Sequence, residues 1–132
     1  MKPIISATIL ASILLVTTTF GRERYPGQYA QVDPADRQWF NGQKVPGTKE
    51  SCCNQADGAT ADEEIRDNHY WARFTYQEWD RSTSKYSDKD SGWMMVPDEA
   101  ILDNNHHGAP VVWWYIPAGQ VMIRCYARGT GI

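Results

Sequence analysis

The first pattern along the chain is an uncharged, mainly apolar run over residues 4–16, which follows Lys2 and leads into small and polar residues up to Gly21. A positive charge, an apolar run and small residues in this order are typical of a secretory signal peptide. The run is too short to span a bilayer comfortably, because a membrane helix needs about 20 apolar residues. The pattern therefore predicts a signal peptide over residues 1–21 that is removed on export, with an uncleaved signal anchor as the alternative.

Residues 22–32 are polar and contain a Pro-Gly pair, so we expect them to form a flexible arm. The next segment carries the signals of a short helix. Asp33 can cap its start, Pro34 suits the first helical position, and Gly42 can end it. We therefore predict a helix over residues 34–41.

Beyond the helix and a cysteine-containing loop, apolar side chains recur at every second position, which is typical of β-strands. The sequence predicts a polar strand over residues 59–66, a tight turn at Asp67-Asn68 and a clearly alternating strand over residues 69–76. Residues 80–92 are almost entirely polar, so we expect them to form a solvated loop.

The last part of the chain contains the clearest hairpin. Residues 111–116 and 121–126 are rich in β-branched and aromatic side chains, and a turn-forming linker separates them. A short strand over residues 93–96 and a helical turn over residues 98–102 precede this hairpin. Together the elements predict a mainly β (α+β) fold, a small antiparallel meander of about four to five strands with a short N-terminal helix, in a single domain over residues 33–132.

The net charge of the chain limits the kinds of molecule that we expect it to bind. The formal net charge is −3, and Lys2 is the only charged residue within the predicted signal peptide, so the exported chain is slightly more acidic. A modestly acidic domain has no electrostatic reason to bind nucleic acid or anionic lipid. We therefore expect no nucleic-acid partner and no stable membrane anchor after cleavage.

The three cysteines, Cys52, Cys53 and Cys125, agree with export. In an oxidising compartment one member of the adjacent pair should form a disulfide with Cys125, which lies on the apolar side of the last strand. A bridge within the adjacent pair would be strained, because consecutive Cα atoms lie only about 3.8 Å apart. We favour Cys53 as the partner of Cys125, with Cys52 as the alternative. The remaining thiol is expected to be buried, or else to bridge to a second molecule.

Several stretches resemble a group of small exported bacterial proteins of unknown function. These are QYAQVDP at 28–34, WF at 39–40, SCCNQADG at 51–58, VPD at 96–98, VVW at 111–113 and IRCY at 123–126. The resemblance covers most of the predicted domain. It implies export into the periplasm or the medium, and it implies no activity.

Candidate catalytic and metal-binding residues are few. His106-His107, with His69 elsewhere, invites a metal site, but adjacent side chains diverge, so we expect a polar turn and no metal or other cofactor. The sequence contains no G-x-S-x-G elbow, no H-E-x-x-H motif and no phosphate-binding glycine loop. We therefore assign no catalytic residue, and an envelope enzyme that uses a cysteine or carboxylates remains an alternative.

Aromatic residues give the strongest functional hint, because the chain has six Trp and seven Tyr. Trp113, Trp114 and Tyr115 are consecutive in a predicted strand, so alternation places Trp114 on the face opposite the other two. If only one face is covered, a large ring is exposed and available for binding; if both faces are covered, all three are buried. We predict a non-enzymatic binding module for an envelope protein or glycan that uses these residues. A purely structural small protein is a further alternative.

Overall fold

A computed structural model of the chain describes residues 32–130. The predicted signal peptide over residues 1–21 lies outside the described residues, and so does the predicted arm except for its last residue, Val32.

Helix α1 spans Pro34–Gly42 and confirms the predicted helix. Asp33 caps it, because its carboxylate accepts a hydrogen bond of 2.7 Å from the backbone N–H of Ala35. Phe40 is the buried residue of this helix, and its side chain packs in the core of the domain.

Within residues 32–130 the helix is followed by eight short strands in three antiparallel sheets. The strands are β1 (Asp57–Thr60), β2 (Asp62–Arg66), β3 (His69–Arg73), β4 (Thr75–Asp80), β5 (Lys85–Asp90), β6 (Met94–Met95), β7 (Val111–Tyr115) and β8 (Met122–Ala127). The sheets have the orders β1-β7-β8, β2-β3-β6 and β4-β5, and a 3₁₀ turn spans Asp98–Ala100. The mainly β class with one short helix is confirmed. The strands outnumber the four to five expected, because breaks at Ala61 and Phe74 divide two predicted strands and because β5 forms in the polar segment.

The predicted solvated loop over residues 80–92 is wrong, since β5 pairs with β4 along its whole length. The turn between them begins at Asp80, whose carboxylate accepts hydrogen bonds from the backbone N–H and the hydroxyl of Ser82, at 2.8 and 2.6 Å. These hydrogen bonds lower the pKa of Asp80. Ser84 completes the turn with a positive φ of 53°. Polar composition concealed the strand because no residue of either strand of this hairpin is fully buried.

The central sheet, β1-β7-β8, is covered on both faces. One face meets α1 and the cysteine loop in a helix-side core, which contains Phe40, Cys52, Ala56, Leu102, Val111, Trp113, Cys125 and Ala127. The other meets the remaining strands in a sheet-side core, which contains Ala72, Phe74, Val96, Ala100, Val112, Trp114, Ile123 and Tyr126. Of the two alternatives for this sheet, coverage of both faces is therefore the one that holds, and Trp114 is only 5% exposed.

A β-bulge at Arg124 divides the side chains of β8 between the two cores. Trp113 lies opposite Cys125, whereas Trp114 lies opposite Ile123, so Arg124 has no cross-strand counterpart. A bulge of this kind shifts the alternation of side chains by one residue. Ile123 and Cys125, which strict alternation would place on one face, consequently lie in different cores.

The disulfide joins Cys52 to Cys125, with their Cα atoms 5.8 Å apart. The choice of Cys53 as the bridged residue is wrong, and the alternative holds. The physical reason is the direction of the two side chains: Cys52 is fully buried in the helix-side core, where Cys125 lies. Cys53 is half-buried at the end of α1, and its Sγ lies 3.6 Å from the carbonyl oxygen of Phe40 and 3.7 Å from Asn41 Oδ1.

Candidate functional site

A groove with a volume of about 450 Å³ lies between the β4-β5 hairpin and the ends of β1 and β7. We call it the aromatic groove. It is lined by Gln55, Asp57, Gln77, Glu78, Trp79, Tyr86, Trp114, Tyr115 and Ile116. The volume lies within the range of about 300–1,000 Å³ that is typical of small-molecule sites.

Two exposed rings on the hairpin form one wall of the aromatic groove. Trp79 on β4 lies directly opposite Tyr86 on β5, and their ring centroids are 5.0 Å apart in an edge-to-face arrangement. Trp79 is 49% exposed and Tyr86 is 46% exposed. Large aromatic side chains that remain this exposed in a rigid strand pair are candidates for ligand contact.

The root of the hairpin is fixed by an ion pair and by backbone hydrogen bonds. The guanidinium of Arg73 donates to both carboxylate oxygens of Asp90, at distances from 2.5 to 3.1 Å. This pairing lowers the pKa of Asp90 to about 2. Phe74 N–H donates to the Ser91 hydroxyl at 2.9 Å, and Ser91 N–H donates to the Phe74 carbonyl oxygen, also at 2.9 Å. The wall that carries Trp79 is therefore held in one orientation.

The hairpin packs on the sheet-side core through Tyr76. Its ring centroid lies 5.5 Å from that of Trp114 and 6.3 Å from that of Phe74. Burial raises the pKa of the Tyr76 phenol, and the negative charge of Glu78 adds to this. Trp114, which is almost fully buried, thus forms the floor of the aromatic groove beneath the hairpin.

The opposite wall comes from the loop that leads into β1. Asp57 pairs with Trp114 across the β1-β7 ladder, and it is only 4% exposed although it lines the groove. Gln55, two residues earlier, has a left-handed φ of 56° and contributes an amide at the rim. This wall therefore places the Gln55 amide at the rim, with the Asp57 carboxylate largely covered beneath it.

Tyr115 completes the wall and is supported from outside the groove by Arg124. The guanidinium carbon lies 5.7 Å from the centroid of the tyrosine ring, a cation–π arrangement. Arg124 also forms a salt bridge of 2.6 Å with Glu50 and donates to the Ser51 carbonyl oxygen at 3.3 Å. The bulged residue thus connects the groove to the cysteine loop.

The structure separates the three residues that the sequence singled out for binding. Trp113 is fully buried in the helix-side core, with its ring stacked on Phe40 at 4.5 Å. Trp114 and Tyr115 line the aromatic groove, as its floor and part of its wall. Trp79 and Tyr86, the most exposed rings of the groove, were not singled out. The sequence contains one signal for the hairpin that brings these two rings together: the Asp-x-Ser pattern at residues 80–82 favours a turn.

The histidines meet carboxylates away from the aromatic groove. His106 Nε2 lies 3.7 Å from one oxygen of Asp36, and His107 Nδ1 lies 3.1 Å from the other. The two adjacent imidazoles therefore converge on one residue of α1, contrary to the divergence expected from the sequence. His69 lies 3.4 Å from Asp98. Among residues 32–130, no group of three or more His, Cys, Asp or Glu could hold a metal ion.

A second concavity, of about 410 Å³, has a structural role. At its edge the Glu63 carboxylate accepts a hydrogen bond of 2.6 Å from the Tyr126 hydroxyl and one of 3.1 Å from Gly129 N–H. Burial and the Glu63 carboxylate raise the pKa of Tyr126 well above its usual range. Arg128 donates to the Tyr70 hydroxyl at 3.3 Å. These contacts attach the C-terminal strand to the β2-β3 hairpin.

In the part that the structure describes, residues 32–130, no helix has the length and apolar character needed to cross a membrane. In comparisons with known proteins, the chain matches no family model, no curated protein and no solved structure.

Proposed function

We propose that the protein is an exported, non-enzymatic binding module that holds a cell-envelope glycan in the aromatic groove. The observation that carries this proposal is the exposed Trp79–Tyr86 pair, which faces a groove that also contains carboxylate and amide side chains. A sugar ring has an apolar C–H face and a polar hydroxyl edge, so it needs both kinds of surface at once. Aromatic rings supply the first, and hydrogen-bonding side chains supply the second.

Export is supported by two features that do not involve the groove. The predicted signal peptide over residues 1–21 would direct the chain out of the cytoplasm. The Cys52–Cys125 disulfide would persist there, because oxidising compartments preserve such bonds.

A glycan is favoured over a protein partner because the groove is concave and half polar. Protein interfaces of ordinary size bury about 800 Å² on each partner and are centred on apolar anchors. The aromatic groove instead offers two exposed rings, Trp79 and Tyr86, beside the polar side chains of Asp57 and Gln77. A short segment of a glycan chain fits this combination of size and chemistry.

A second candidate function, glycan hydrolysis, is favoured by the presence of two carboxylates in one groove. Asp57 and Glu78 are the residue types that glycoside hydrolases use as acid and base. Binding without hydrolysis is preferred because Asp57 is almost fully buried, whereas a general acid must reach the glycosidic oxygen. Release of reducing ends by the wild-type protein, and its loss in Asp57→Asn, would support hydrolysis instead.

The proposal is tested by binding of the oxidised, exported chain to purified cell-wall glycan, measured by co-sedimentation and calorimetry. Trp79→Ala should weaken binding by about tenfold, since a well-placed aromatic contact is worth more than about 1 kcal/mol. Trp93→Ala is the matched control, because Trp93 is half-buried beside Arg66, 5.1 Å from its guanidinium carbon, and does not line the groove.

Three results bear on the proposal. A selective loss in Trp79→Ala, with Trp93→Ala like the wild type, supports it. Equal binding of both variants and the wild type to every envelope fraction contradicts it. Binding that survives glycan digestion but disappears after protease treatment of the envelope fraction would assign the groove to a protein partner and overturn the glycan.

A further inference from the structure

Strand β2 forms an open edge of its sheet. Within residues 32–130 its only partner strand is β3, where Tyr70 lies directly opposite Ile65. The carbonyl oxygen of Tyr70 points away from β2, because it accepts a hydrogen bond of 2.8 Å from Val96 N–H. Directly opposite residues of an antiparallel pair point their backbone groups either towards each other or away from each other. Ile65 therefore directs its N–H and C=O groups to the open edge, and so does Glu63 two residues earlier.

The space beside this edge is a groove. At the start of the edge, Ala61 N–H donates to the carbonyl oxygen of Pro110 at 2.9 Å. Beyond that contact, a concavity of about 510 Å³ lies between β2 and residues 108–110. Ile65 lines this concavity and is 68% exposed, more than any other large apolar side chain of residues 32–130. An edge with outward-facing backbone groups and an exposed apolar side chain is a template for pairing with another strand.

The side chains of β2 are complementary to a second copy of the same strand. When two β2 strands pair antiparallel about a two-fold axis at Ile65, Glu64 of each copy lies opposite Arg66 of the other. Glu64 and Arg66 also pair within one copy, with Oε2 and Nε 2.8 Å apart, so the four charges alternate around the axis. The guanidinium carbon of Arg66 lies 5.2 Å from the ring centroid of Trp71 and 5.1 Å from that of Trp93, which holds it in place.

Other alignments of the two strands are less favourable. An axis at Glu63, Glu64 or Arg66 would place two like charges opposite each other at its centre, which destabilises a strand pair. In the preferred alignment the like charges that remain are Glu63 and Asp67, at the ends of the paired segment. The Glu63 carboxylate is already engaged within its own copy, since it accepts a hydrogen bond of 2.6 Å from the Tyr126 hydroxyl.

From these observations we infer that two copies of the chain pair through β2 as a symmetric dimer, in which their three-stranded sheets join into one continuous antiparallel sheet. The two Ile65 residues exchange backbone hydrogen bonds across the axis, and their side chains cover each other. The paired segment is short, so the interface is smaller than the roughly 1,600 Å² of an ordinary complex, and we expect a Kd of about 0.1 mM. The dimer does not depend on the proposed function, because Trp79 and Tyr86 lie outside β2.

Sedimentation velocity of the oxidised, exported chain tests the dimer over about 10 µM to 1 mM, a range that brackets the expected Kd. The wild type should shift from monomer to dimer, and Ile65→Thr should raise the Kd by at least about fivefold. Met122→Thr is the matched control, because Met122 is a 44% exposed apolar residue of β8, away from this edge. A wild type that stays monomeric at every concentration, or equal effects of the two substitutions, would overturn the inference.

A pair of charge variants distinguishes a broken interface from a damaged fold. Glu64→Arg and Arg66→Glu each place like charges opposite one another across the axis, so each variant alone should be monomeric. An equimolar mixture restores opposite charges and should dimerise at about the concentration that the wild type requires. A mixture that remains monomeric, while circular dichroism shows both variants folded, would overturn the assigned alignment.

A cysteine at the axis tests which residues meet. In a Cys53→Ala background, Ile65→Cys should form a disulfide-linked dimer, because Cα atoms of a hydrogen-bonded pair lie about 5.5 Å apart, within disulfide range. Asn68→Cys is the matched control in the exposed turn after β2, and it should stay monomeric because the two copies of Asn68 lie at opposite ends of the paired segment. Equal cross-linking of both variants would show random encounter and overturn the alignment. Cross-linking of Ile65→Cys to a different envelope protein, and not to itself, would assign the edge to another chain and overturn self-pairing.

Discussion

The contribution of the disulfide to stability is the most direct consequence of the fold. Cys52 and Cys125 are separated by 73 positions in the sequence and join the loop after α1 to the last strand. Both are fully buried in the helix-side core. Replacing Cys125 with alanine removes the cross-link and leaves Cys52 and Cys53 as thiols.

The magnitude follows from the length of the loop. In the chain-entropy account, a cross-link that closes a loop of this length stabilises the native state by about 4 kcal/mol. Small domains have total unfolding free energies of about 5–15 kcal/mol, so this is a large share. For a domain of about 100 residues, each 1 kcal/mol corresponds to about 4–8 °C in Tm, so Cys125→Ala should melt about 20–30 °C lower.

Thermal and urea unfolding, followed by circular dichroism, measure this loss. Cys53→Ala is the matched control, and it should lose less than about 1.5 kcal/mol, because Cys53 is half-buried and outside the bridge. Thiol labelling under denaturing conditions should find one thiol in the wild type and none in Cys53→Ala. Equal destabilisation by the two substitutions, or no loss in Cys125→Ala, would refute the assigned pairing or its energetic role.

Two further predictions concern titratable groups. Arg73→Gln should raise the pKa of Asp90 from about 2 towards its ordinary value of 3.8, as measured by NMR titration. Because the pKa is lowered in the folded state, the stabilisation from this pair is present above the ordinary value and is lost as the pH falls towards 2. An Asp90 pKa that Arg73→Gln leaves unchanged would contradict the pairing. Tyr126→Phe removes the hydrogen bond to Glu63 and should lower the unfolding free energy by about 1.5–3 kcal/mol in urea denaturation; a change below about 0.5 kcal/mol would count against it.

Elements that depend on local signals were predictable from the sequence. The cap at Asp33 and the proline that follows it fix the start of α1 within a few residues of chain. The turn at Asp67-Asn68 is equally local: both residues have positive φ, of 50° and 62°, a conformation that Asp and Asn tolerate better than other non-glycine residues. In each case the residues that determine the conformation are also the residues that adopt it.

Elements that depend on distant contacts were not predictable. The choice between Cys52 and Cys53 is decided by the direction in which the loop enters the helix-side core, and the residues that set this direction lie in α1 and β8. The bulge at Arg124 is likewise set by the partner strand, because alternation within β8 alone gives no sign of it. Trp114 is buried because a second layer of strands covers its face, which the residues of β7 do not specify.

The aromatic groove illustrates the same distinction. Its walls come from three separate segments, residues 55–57, 77–86 and 114–116. Only the last segment contributed to the predicted binding residues, because consecutive aromatics are conspicuous in a sequence. Trp79 and Tyr86 become neighbours only when β4 and β5 pair, and the polar residues between them conceal that pairing.

The disulfide and the aromatic groove are connected although they occupy opposite faces of the central sheet. Arg124, the bulged residue of β8, links them. It contacts Tyr115 in the groove wall, and it contacts Glu50 and the carbonyl oxygen of Ser51 in the cysteine loop. Ser51 immediately precedes the bridged Cys52, and the same loop continues to Asp57 in the groove wall. A cross-link that holds this loop against β8 therefore also holds one wall of the groove. Because such a bond persists in an oxidising compartment, the disulfide links the proposed binding site to export.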